Sequence, residues 1–403
     1  MELHEPIYIS EPDIPTVTPI PTVRVRSRPR LQEPRAGFFT SIGLGIEWLF
    51  GAFALLIGLA FLSAVPVLQL LSLGYLLEVS GRVARSGRLR DGFVGFRKAA
   101  RVGTVVLGGW LLMLPLRFTA DYAYTAAILD PDGRTALLVR IGHFALMGAL
   151  VLHLIFALLR GGRIRDFLNP FNPVFVLLDI GKGNFYARKR DAVWDCIIGL
   201  RLPHYAMLGG KGFLGSMLWL LLPVTMLAVS RAPLPGMPVV GFLGALLLIP
   251  VLVYLPFLQT RSAATGKWGD LFGVLETRHE YRHAPWAFAF AFTVSLLFAL
   301  PLYLLKIEVV PDEAAWLPGL VFILFIAPAR LLAGWALGRA RRRLQSDRGP
   351  SHWFFRWTGR ITFVPVAAFY VLVLSFTPYT SWNGLWSLYE QHAFLVPVPY
   401  LSL

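Results

Sequence analysis

The sequence predicts an all-α membrane protein, a polytopic transmembrane helical bundle of about seven full spans plus an N-terminal helical hairpin. Hydrophobic residues make up 56% of the 403 residues and charged residues only 15%, whereas soluble domains carry about 25% charged residues. Several apolar runs reach or approach the roughly 18 residues that mark a spanning helix. Most of the 38 Lys and Arg fall in alternate connecting segments, the distribution that orients membrane proteins.

The formal charge of +15 raises the question of a nucleic-acid partner. Because the basic residues concentrate on one predicted side of the membrane, the positive-inside distribution accounts for them without nucleic acid. The predicted partners are therefore membrane lipids with anionic headgroups, and a homo-oligomer or a protein partner stays open. The single cysteine, Cys196, has no second cysteine with which to form an intramolecular disulfide. No cofactor is predicted, apart from the zinc considered below.

The chain divides into three predicted regions. Residues 1–36 are rich in proline and arginine and lack the apolar core of a signal peptide, so they are expected to form a disordered cytoplasmic arm. Residues 37–377 form the transmembrane domain, and residues 378–403 form an aromatic tail at the outer interface. Alternation places the N-terminus in the cytoplasm and the C-terminus outside, in the cell inner membrane. The predicted full spans are 103–124, 138–159, 212–230, 238–258, 286–305, 317–337 and 358–377.

The stretch 42–77 is apolar over almost its whole length. A single helix of these residues would be about 54 Å long, whereas the hydrocarbon core is about 30 Å thick. Pro66 offers a break, and both flanks are basic, which predicts a helical hairpin with a short or re-entrant second limb. The alternative is one tilted helix that continues into the cytoplasm, with the N-terminus outside.

A basic segment that we call an elbow follows three of the apolar runs, at residues 87–93, 162–167 and 266–272. Each elbow begins with glycine, carries basic or aromatic residues and contains one aspartate, which indicates a degenerate internal repeat. Basic residues at this position suit contact with anionic lipid headgroups. The elbow residues predicted to serve this role are Arg88, Arg90, Asp91, Arg163, Arg165, Asp166, Lys267 and Asp270.

The first and third copies of the repeat stay in register beyond the elbow itself. Tyr-Leu at residues 75–76 matches Tyr-Leu at residues 254–255, and Arg82 matches Arg261. The Leu-Gly-Tyr-Leu-Leu run at 73–77 and its basic elbow resemble polytopic membrane proteins of bacteria and archaea with a Gly-Tyr-Leu-Leu motif after an early span. This resemblance covers a small part of the chain and implies no activity.

The largest polar insertion lies at residues 160–211 and contains two Asn-Pro pairs, at 169–170 and 172–173. The residue before a proline disfavours helical geometry, so no single helix is expected to run through this insertion. An interfacial helix beneath the bilayer is favoured over a re-entrant loop that lines a cavity. The same insertion is where a membrane scaffold would hold a cytoplasmic partner.

Residues 279–283 read His-Glu-Tyr-Arg-His, a literal H-E-x-x-H string. On a helix, His279 and His283 share a face and can bind zinc, while Glu280 activates water. The string resembles the motif of zinc metallopeptidases, some of which are embedded in membranes. Those families keep an uncharged residue at the position of Arg282 and continue their helix beyond the position of Pro285. A solvated elbow is therefore the favoured interpretation, with the metalloprotease as the alternative.

Ionisable residues inside or at the edge of spans are the remaining candidates, because charge in a membrane usually has a function or a partner. Arg117 and Asp121 are four residues apart and can pair on one helix face, and Arg140 enters the next span from the same side. Arg330 is the most isolated charge, and it either snorkels to the interface or balances an anionic lipid or substrate. The favoured function is non-enzymatic, transporter-like or lipid-interacting.

Overall fold

The computed structural model describes residues 38–304, 316–380 and 384–390 of the chain. Every regular element in these residues is helical, which confirms the all-α class. The predicted arm at 1–36 lies outside the described residues. The α-helices are α1 (Phe38–Ala64), α2 (Gln69–Ser86), α3 (Phe96–Leu129), α4 (Arg134–Arg160), α5 (Ile164–Leu168), α6 (Asn172–Ile180), α7 (Phe185–Gly199), α8 (Leu202–Val229), α9 (Met237–Thr265), α10 (Val274–His283), α11 (Pro285–Leu304), α12 (Trp316–Gln345), α13 (Trp353–Thr380) and α14 (Ser387–Glu390).

Within the described residues, seven helical segments are long and apolar enough to cross a membrane. They are Gly45–Ala64, Leu89–Leu129, Arg134–Arg160, Phe185–Val229, Met237–Thr265, Trp316–Gln345 and Trp353–Tyr379. Pro285–Ala299, in α11, forms a shorter apolar helix. The polytopic bundle predicted from hydropathy is thus confirmed. Several helices extend beyond the predicted spans. The largest difference is at the start of α8, which begins at Leu202, before the predicted start of that span at 212.

The chain divides into two compact units, Met1–Leu44 and Gly45–Leu403. In the first unit the described residues, 38–44, are helical and begin α1. The second unit contains the rest of α1 and every later helix.

The predicted hairpin at 42–77 is present, and its break lies at Pro66. α1 ends at Ala64 and α2 begins at Gln69, while Val67 between them adopts a positive φ of 69°. The Ser72 hydroxyl of α2 donates to the Leu59 carbonyl oxygen of α1 at 2.9 Å. In one continuous helix these residues would lie about 20 Å apart, so the chain folds back here. The single tilted helix is therefore wrong.

Helix α2 is the centre of the bundle and packs against α8, α9 and α12. Close packing is possible because glycines stand where backbones approach. Gly74 meets α8 at Tyr205, and Gly81 meets α9 at Ala263. A Cβ on Gly338 of α12 would lie 2.8 Å from the Val83 carbonyl oxygen. The most buried apolar residues of α2 are Leu73, Leu76, Leu77, Val79, Val83 and Ala84.

The first elbow turns the chain sharply at the end of α2. Gly87 takes the left-handed conformation, with φ of 67°, and its N–H donates to the Val83 carbonyl oxygen at 2.7 Å. This is a common helix ending that glycine adopts without a steric penalty. The Ser86 hydroxyl then accepts the Arg88 N–H at 3.2 Å, and a 3₁₀ turn follows at Leu89–Gly92.

The third elbow repeats this geometry at the end of α9. Gly266 has φ of 78° and donates its N–H to the Ser262 carbonyl oxygen at 2.7 Å. The Thr265 hydroxyl accepts the Lys267 N–H at 3.3 Å, and a 3₁₀ turn follows at Trp268–Phe272. The predicted correspondence between the first and third copies is therefore present in the backbone.

The second elbow differs from the other two. Two consecutive glycines with positive φ, Gly161 and Gly162, follow α4, and the short α-helix α5 takes the place of the 3₁₀ turn. The Asp166 carboxylate accepts the Arg163 N–H at 3.1 Å, as a carboxylate in the first turn of a helix commonly does. The repeat is thus faithful in the first and third elbows and only approximate in the second.

All three elbows lie at one end of the bundle, which we call the elbow end. Arg85 at the end of α2 donates from Nη1 to the carbonyl oxygens of Ala263 (3.1 Å) and Ala264 (3.0 Å) at the end of α9. The Thr104 hydroxyl, in the first turns of α3, donates to the Gly162 carbonyl oxygen of the second elbow at 3.2 Å. Helix α10, the end of α12 and the start of α13 complete this end, because Arg343 and Ser351 both bond to backbone groups of α10.

Candidate functional site

The four elbow arginines predicted to meet lipid headgroups are exposed. The side chains of Arg90 and Arg165 are 74% and 71% exposed, and each lies 3.9 Å from the carboxylate of the neighbouring aspartate. Ion pairs of this length between exposed groups contribute little to stability. Arg88 and Arg163 are also exposed. These side chains therefore remain available to an external anion, as does the exposed Lys267 of the third elbow.

Two of the three elbow aspartates make contacts within or next to their own elbow. Asp166 is 3% exposed, and its carbonyl oxygen accepts the side-chain amide of Asn172. Asp270 accepts the Thr265 hydroxyl at 2.5 Å and lies 3.5 Å from Nε of Arg261. Asp91 is half-buried. A role of these aspartates in headgroup binding stays a prediction. The contacts of Asp166 and Asp270 indicate that these two residues stabilise the turns.

A buried carboxylate that the sequence analysis did not single out, Glu78, lies near the end of α2. It is 5% exposed and pairs with Arg82 Nε at 2.7 Å, His204 Nε2 at 3.3 Å and Arg85 Nη2 at 3.4 Å. Burial raises the pKa of Glu78, but hydrogen bonds from Arg82 and His204 and the charge of Arg85 outweigh it, so the pKa lies below its ordinary value. Glu78 is therefore ionised at neutral pH and ties α2 to α8.

A second buried carboxylate, Glu280 of α10, joins three helices. It is 6% exposed. Its Oε1 accepts Arg341 Nε of α12 at 2.8 Å, and its Oε2 lies 3.2 Å from Arg261 Nη1 of α9. The second contact is an ion pair whose angle does not make a hydrogen bond. The arginines that match in the repeat, Arg82 and Arg261, thus each pair with a buried glutamate, although the glutamates do not correspond.

The H-E-x-x-H string lies on a helix, as zinc binding requires, but the side chains of Glu280 and His283 make internal contacts. His279 is exposed, and His283 is 6% exposed, with Nδ1 3.0 Å from the His279 carbonyl oxygen. α10 ends at His283 and α11 begins at Pro285, so the helix stops where Pro285 predicts. No third His, Cys, Asp or Glu among the described residues converges with these two on one metal position.

The predicted intramembrane charges differ in their surroundings. Arg330 is 1% exposed and donates from Nη1 to Gln259 Oε1 at 2.5 Å, and the Gln259 amide bonds to the Ser216 hydroxyl. Arg330 therefore belongs to a buried polar line through α12, α9 and α8. The snorkelling interpretation is wrong for this residue.

The predicted cluster at the other end of the bundle has no ion pair at its centre. Arg117, Asp121 and Arg140 are all exposed, and in the described part of the chain no ion pair joins any two of them. The four-residue spacing of Arg117 and Asp121 permits an ion pair, but their side chains do not form one in this structure.

The insertion at 160–211 forms three short helices, α5 to α7, and the first turns of α8. The first Asn-Pro pair interrupts the helices, whereas Pro173 stands at the first or second position of α6, where proline is tolerated. Hydrogen bonding to Lys189 lowers the pKa of Asp179, and this pair links α6 to α7. α7 contains no buried residue. Both the interfacial and the scaffold hypotheses need such an exposed helix.

Part of the predicted aromatic tail packs onto the bundle. Of residues 378–403, the structure describes 378–380 and 384–390. Leu388 is 1% exposed, whereas Trp386 is 73% exposed. The Tyr389 hydroxyl donates to Thr225 Oγ1 of α8 at 3.0 Å. The placement of the remaining tail residues lies outside the described part.

Comparison of the chain with models of protein families, with curated proteins and with solved structures finds no match. The composition, the helical architecture and the seven long apolar segments define the chain as a multi-pass integral membrane protein of the all-α class.

Proposed function

We propose that the protein is a non-enzymatic protein of the inner membrane whose elbow end faces the cytoplasm and binds anionic lipid headgroups. The observation that carries this proposal is the contrast between the two kinds of charge at the elbow end. Arg88, Arg90, Arg163 and Arg165 extend outward with weak partners or none among the described residues, whereas the buried carboxylates of the same end hold internal ion pairs.

Basic side chains next to a membrane gain free energy from its surface potential. Each Lys or Arg close to an anionic leaflet contributes about 1 kcal/mol. The attraction weakens with ionic strength because the Debye length is about 8 Å in physiological salt. Arginine also donates several hydrogen bonds to phosphate in a fixed geometry. The elbows are thus suited to hold one end of the bundle against anionic lipid.

A transporter-like role has its support elsewhere in the molecule. An ionisable residue inside a membrane bundle is a candidate for substrate or ion contact. Arg330, Gln259 and Ser216 form a buried polar line through three helices. This line is where we would place a contact with a polar solute if the lipid-binding elbows anchor a transporter.

Neutralising elbow arginines in pairs is expected to reduce the phosphatidylglycerol that the protein retains. Arg88→Gln/Arg90→Gln and Arg163→Gln/Arg165→Gln each remove two exposed charges and, by the estimate above, up to about 2 kcal/mol of attraction at low salt. The measurement is native mass spectrometry of protein released from nanodiscs of equimolar phosphatidylglycerol and phosphatidylcholine, at low and high salt.

The matched control is Arg134→Gln/Arg140→Gln, which removes two exposed arginines near the start of α4, away from the elbows. This variant is expected to retain phosphatidylglycerol as the wild type does. If the elbow variants and the control retain equal amounts at low salt, the elbows do not bind anionic lipid and the proposal fails.

A zinc metalloprotease is the second candidate, and the helical placement of His279 and His283 is the observation that favours it. Against it, Glu280 would have to leave Arg341 and Arg261 before it could activate water. We therefore favour a structural role for the string.

Metal content separates these two candidates. We expect inductively coupled plasma mass spectrometry of detergent-purified protein to find no stoichiometric zinc, and the same background in wild type and in His279→Ala/His283→Ala. The physical reason is that Glu280 already has internal partners and that no third His, Cys, Asp or Glu of the described residues joins the two histidines at one metal position. A stoichiometric zinc in the wild type that the double variant lacks would establish the metalloprotease instead.

A further inference from the structure

An open cleft of about 190 Å³ lies at the elbow end between α10 and the first turns of α13. Its lining consists of four arginines and two tryptophans. Residues four apart on a helix share a face, so α10 and α13 each present two arginines to the cleft, and α13 also presents the two tryptophans. The lining residues are Arg278, Arg282, Arg356, Arg360, Trp353 and Trp357.

The positive charge of this cleft is not balanced from within. No Asp or Glu among the described residues lies within ion-pair distance of any of the four arginines. The nearest buried acid on α10, Glu280, pairs with Arg341 and Arg261. Like charges four residues apart on a helix repel each other. An arrangement with two such pairs facing one cleft is stabilised when an anion enters it.

One arginine of the cleft, Arg356, has a hydrogen-bond donor without an acceptor among the described residues. The Nε of Arg356 is buried and has no hydrogen-bond partner in the described part of the chain. A buried donor without a partner is unfavourable, and arginine presents its donors as a planar fork that fits phosphate oxygens.

The cleft is also held in shape before any ligand arrives. The Tyr281 hydroxyl donates to the Arg356 carbonyl oxygen at 2.8 Å, so α10 braces the start of α13. The Arg360 guanidinium lies 5.7 Å from the Tyr281 ring centre and 5.9 Å from that of Trp357, within the range of cation–π attraction. Burial raises the pKa of Tyr281 to about 12, so its hydroxyl remains a donor well above neutral pH.

We propose that this cleft binds a phosphate-bearing anion with more than one negative charge, either a lipid headgroup or a soluble phosphate. A single phosphodiester would leave most of the charge of four arginines unbalanced, which favours a phosphomonoester or a diphosphate. The exposed Trp353 and Trp357 rings, at 57% and 56%, suit the headgroup level of a membrane. For the lipid source alone, this inference rests on the proposed function, in which the elbow end faces a bilayer.

The test compares binding of two probes, phosphatidic acid and inorganic pyrophosphate, to the full chain in zwitterionic detergent. Native mass spectrometry counts bound molecules, and a thermal shift gives the affinity. Arg282→Gln/Arg356→Gln is expected to weaken tenfold or more the binding of whichever probe the wild type binds, since hydrogen bonds between arginine and the charged phosphate are lost. Arg356→Lys keeps the charge but loses the fork, so it is expected to show an intermediate affinity.

The control is Arg134→Gln/Arg140→Gln, which removes two exposed arginines near the start of α4, outside both the cleft and the elbows, and is expected to leave this site at wild-type affinity. Tight binding of phosphatidic acid alone assigns a lipid, and equal binding of pyrophosphate assigns the phosphate group from either source. If neither probe binds the wild type, or if the cleft variants bind as the wild type does at unchanged melting temperature, the cleft is not a phosphate site. The elbow proposal is unaffected by that result, because it rests on the retention of phosphatidylglycerol.

Discussion

Replacing Glu280 with alanine is expected to lower the free energy of unfolding by about 3–5 kcal/mol, the loss typical when one partner of a buried ion pair is removed. The substitution leaves Arg341 and Arg261 facing each other with side chains only 22% and 16% exposed. Arg261 keeps a contact with Asp270 at 3.5 Å, whereas Arg341 loses the ion pair that joins α12 to α10. The measurement is equilibrium unfolding of the purified protein in mixed detergent with increasing dodecyl sulfate.

Glu276 provides a matched control on the same helix. It lies one turn earlier on α10, is exposed and has no ion pair within the described residues. Glu276→Ala removes the same charge without exposing a buried partner, and surface substitutions of this kind usually change stability by less than about 0.5 kcal/mol. A difference of several kcal/mol between the two variants would therefore measure the buried pair and not the general loss of an acid.

A paired replacement tests whether the cost comes from the unpaired arginine. When both members of a buried pair become apolar, stability is often retained, so Glu280→Leu/Arg341→Leu is expected to be more stable than Glu280→Ala. If Glu280→Ala unfolds as readily as Glu276→Ala, the carboxylate does not support the fold, and a chemical role for the string regains weight.

The fold class could be predicted because each membrane span is recognisable from the composition of its own residues. A run of apolar residues predicts a spanning helix without reference to any distant residue. Proline is likewise a local signal, and Pro66 marks the break between α1 and α2. The early start of α8 at Leu202 was not predictable in this way, since residues 202–211 mix polar and apolar side chains and continue a helix that only its neighbours stabilise.

The elbows illustrate how far a repeat in sequence carries into structure. In the first and third copies the same residue types, a hydroxyl residue followed by glycine and a basic residue, produce the same turn. In the second copy Gly161, with φ of 123°, stands where the other two copies have the hydroxyl residue. The hydroxyl group that accepts the N–H of the basic residue in those copies is therefore missing, and the backbone follows a different path.

The partners of the charged residues could not be read from the sequence. Glu280 looked like a catalytic base because its local neighbours form H-E-x-x-H, yet its partner Arg341 is 61 residues away. Arg330 looked isolated because Gln259, 71 residues earlier, lies in another span. For Glu78 a signal did exist in the arginine four residues later, and the paired tryptophans and arginines at 353–360 show the same spacing. The role of such residue pairs can be assigned only when the helix that faces them is known.

The Gly-Tyr-Leu-Leu motif has a physical explanation in the packing of α2. Gly74 lies against the backbone of α8, the Tyr75 hydroxyl donates to the Val94 carbonyl oxygen at 2.7 Å, and Leu76 and Leu77 are each 1% exposed. Every residue of the motif is thus used to place α2 among its neighbours. The motif therefore belongs to the fold, which agrees with a resemblance that implies no activity.

Substitution of Gly74 or Gly209 with alanine is expected to destabilise the protein by about 3 kcal/mol each, at the upper end of the usual cost of overpacking. A Cβ on Gly74 would overlap the Tyr205 carbonyl oxygen of α8, and a Cβ on Gly209 would overlap the Leu70 carbonyl oxygen of α2. Both clashes are with backbone, which no side-chain rotation relieves, so α2 and α8 must separate. Unfolding in dodecyl sulfate reports the loss.

Gly210→Ala separates this effect from helix propensity. Gly210 is adjacent in the same helix, and nothing outside its own helix turn lies within 4 Å of where its Cβ would be. Alanine favours helices over glycine by about 1 kcal/mol, so this variant is expected to be neutral or slightly more stable than the wild type. Should Gly74→Ala and Gly209→Ala behave like Gly210→Ala, the close crossing of α2 and α8 would not hold in the folded protein. A selective loss in the first two would show that this contact fixes the central helix, and with it the position of Glu78 one turn further along α2.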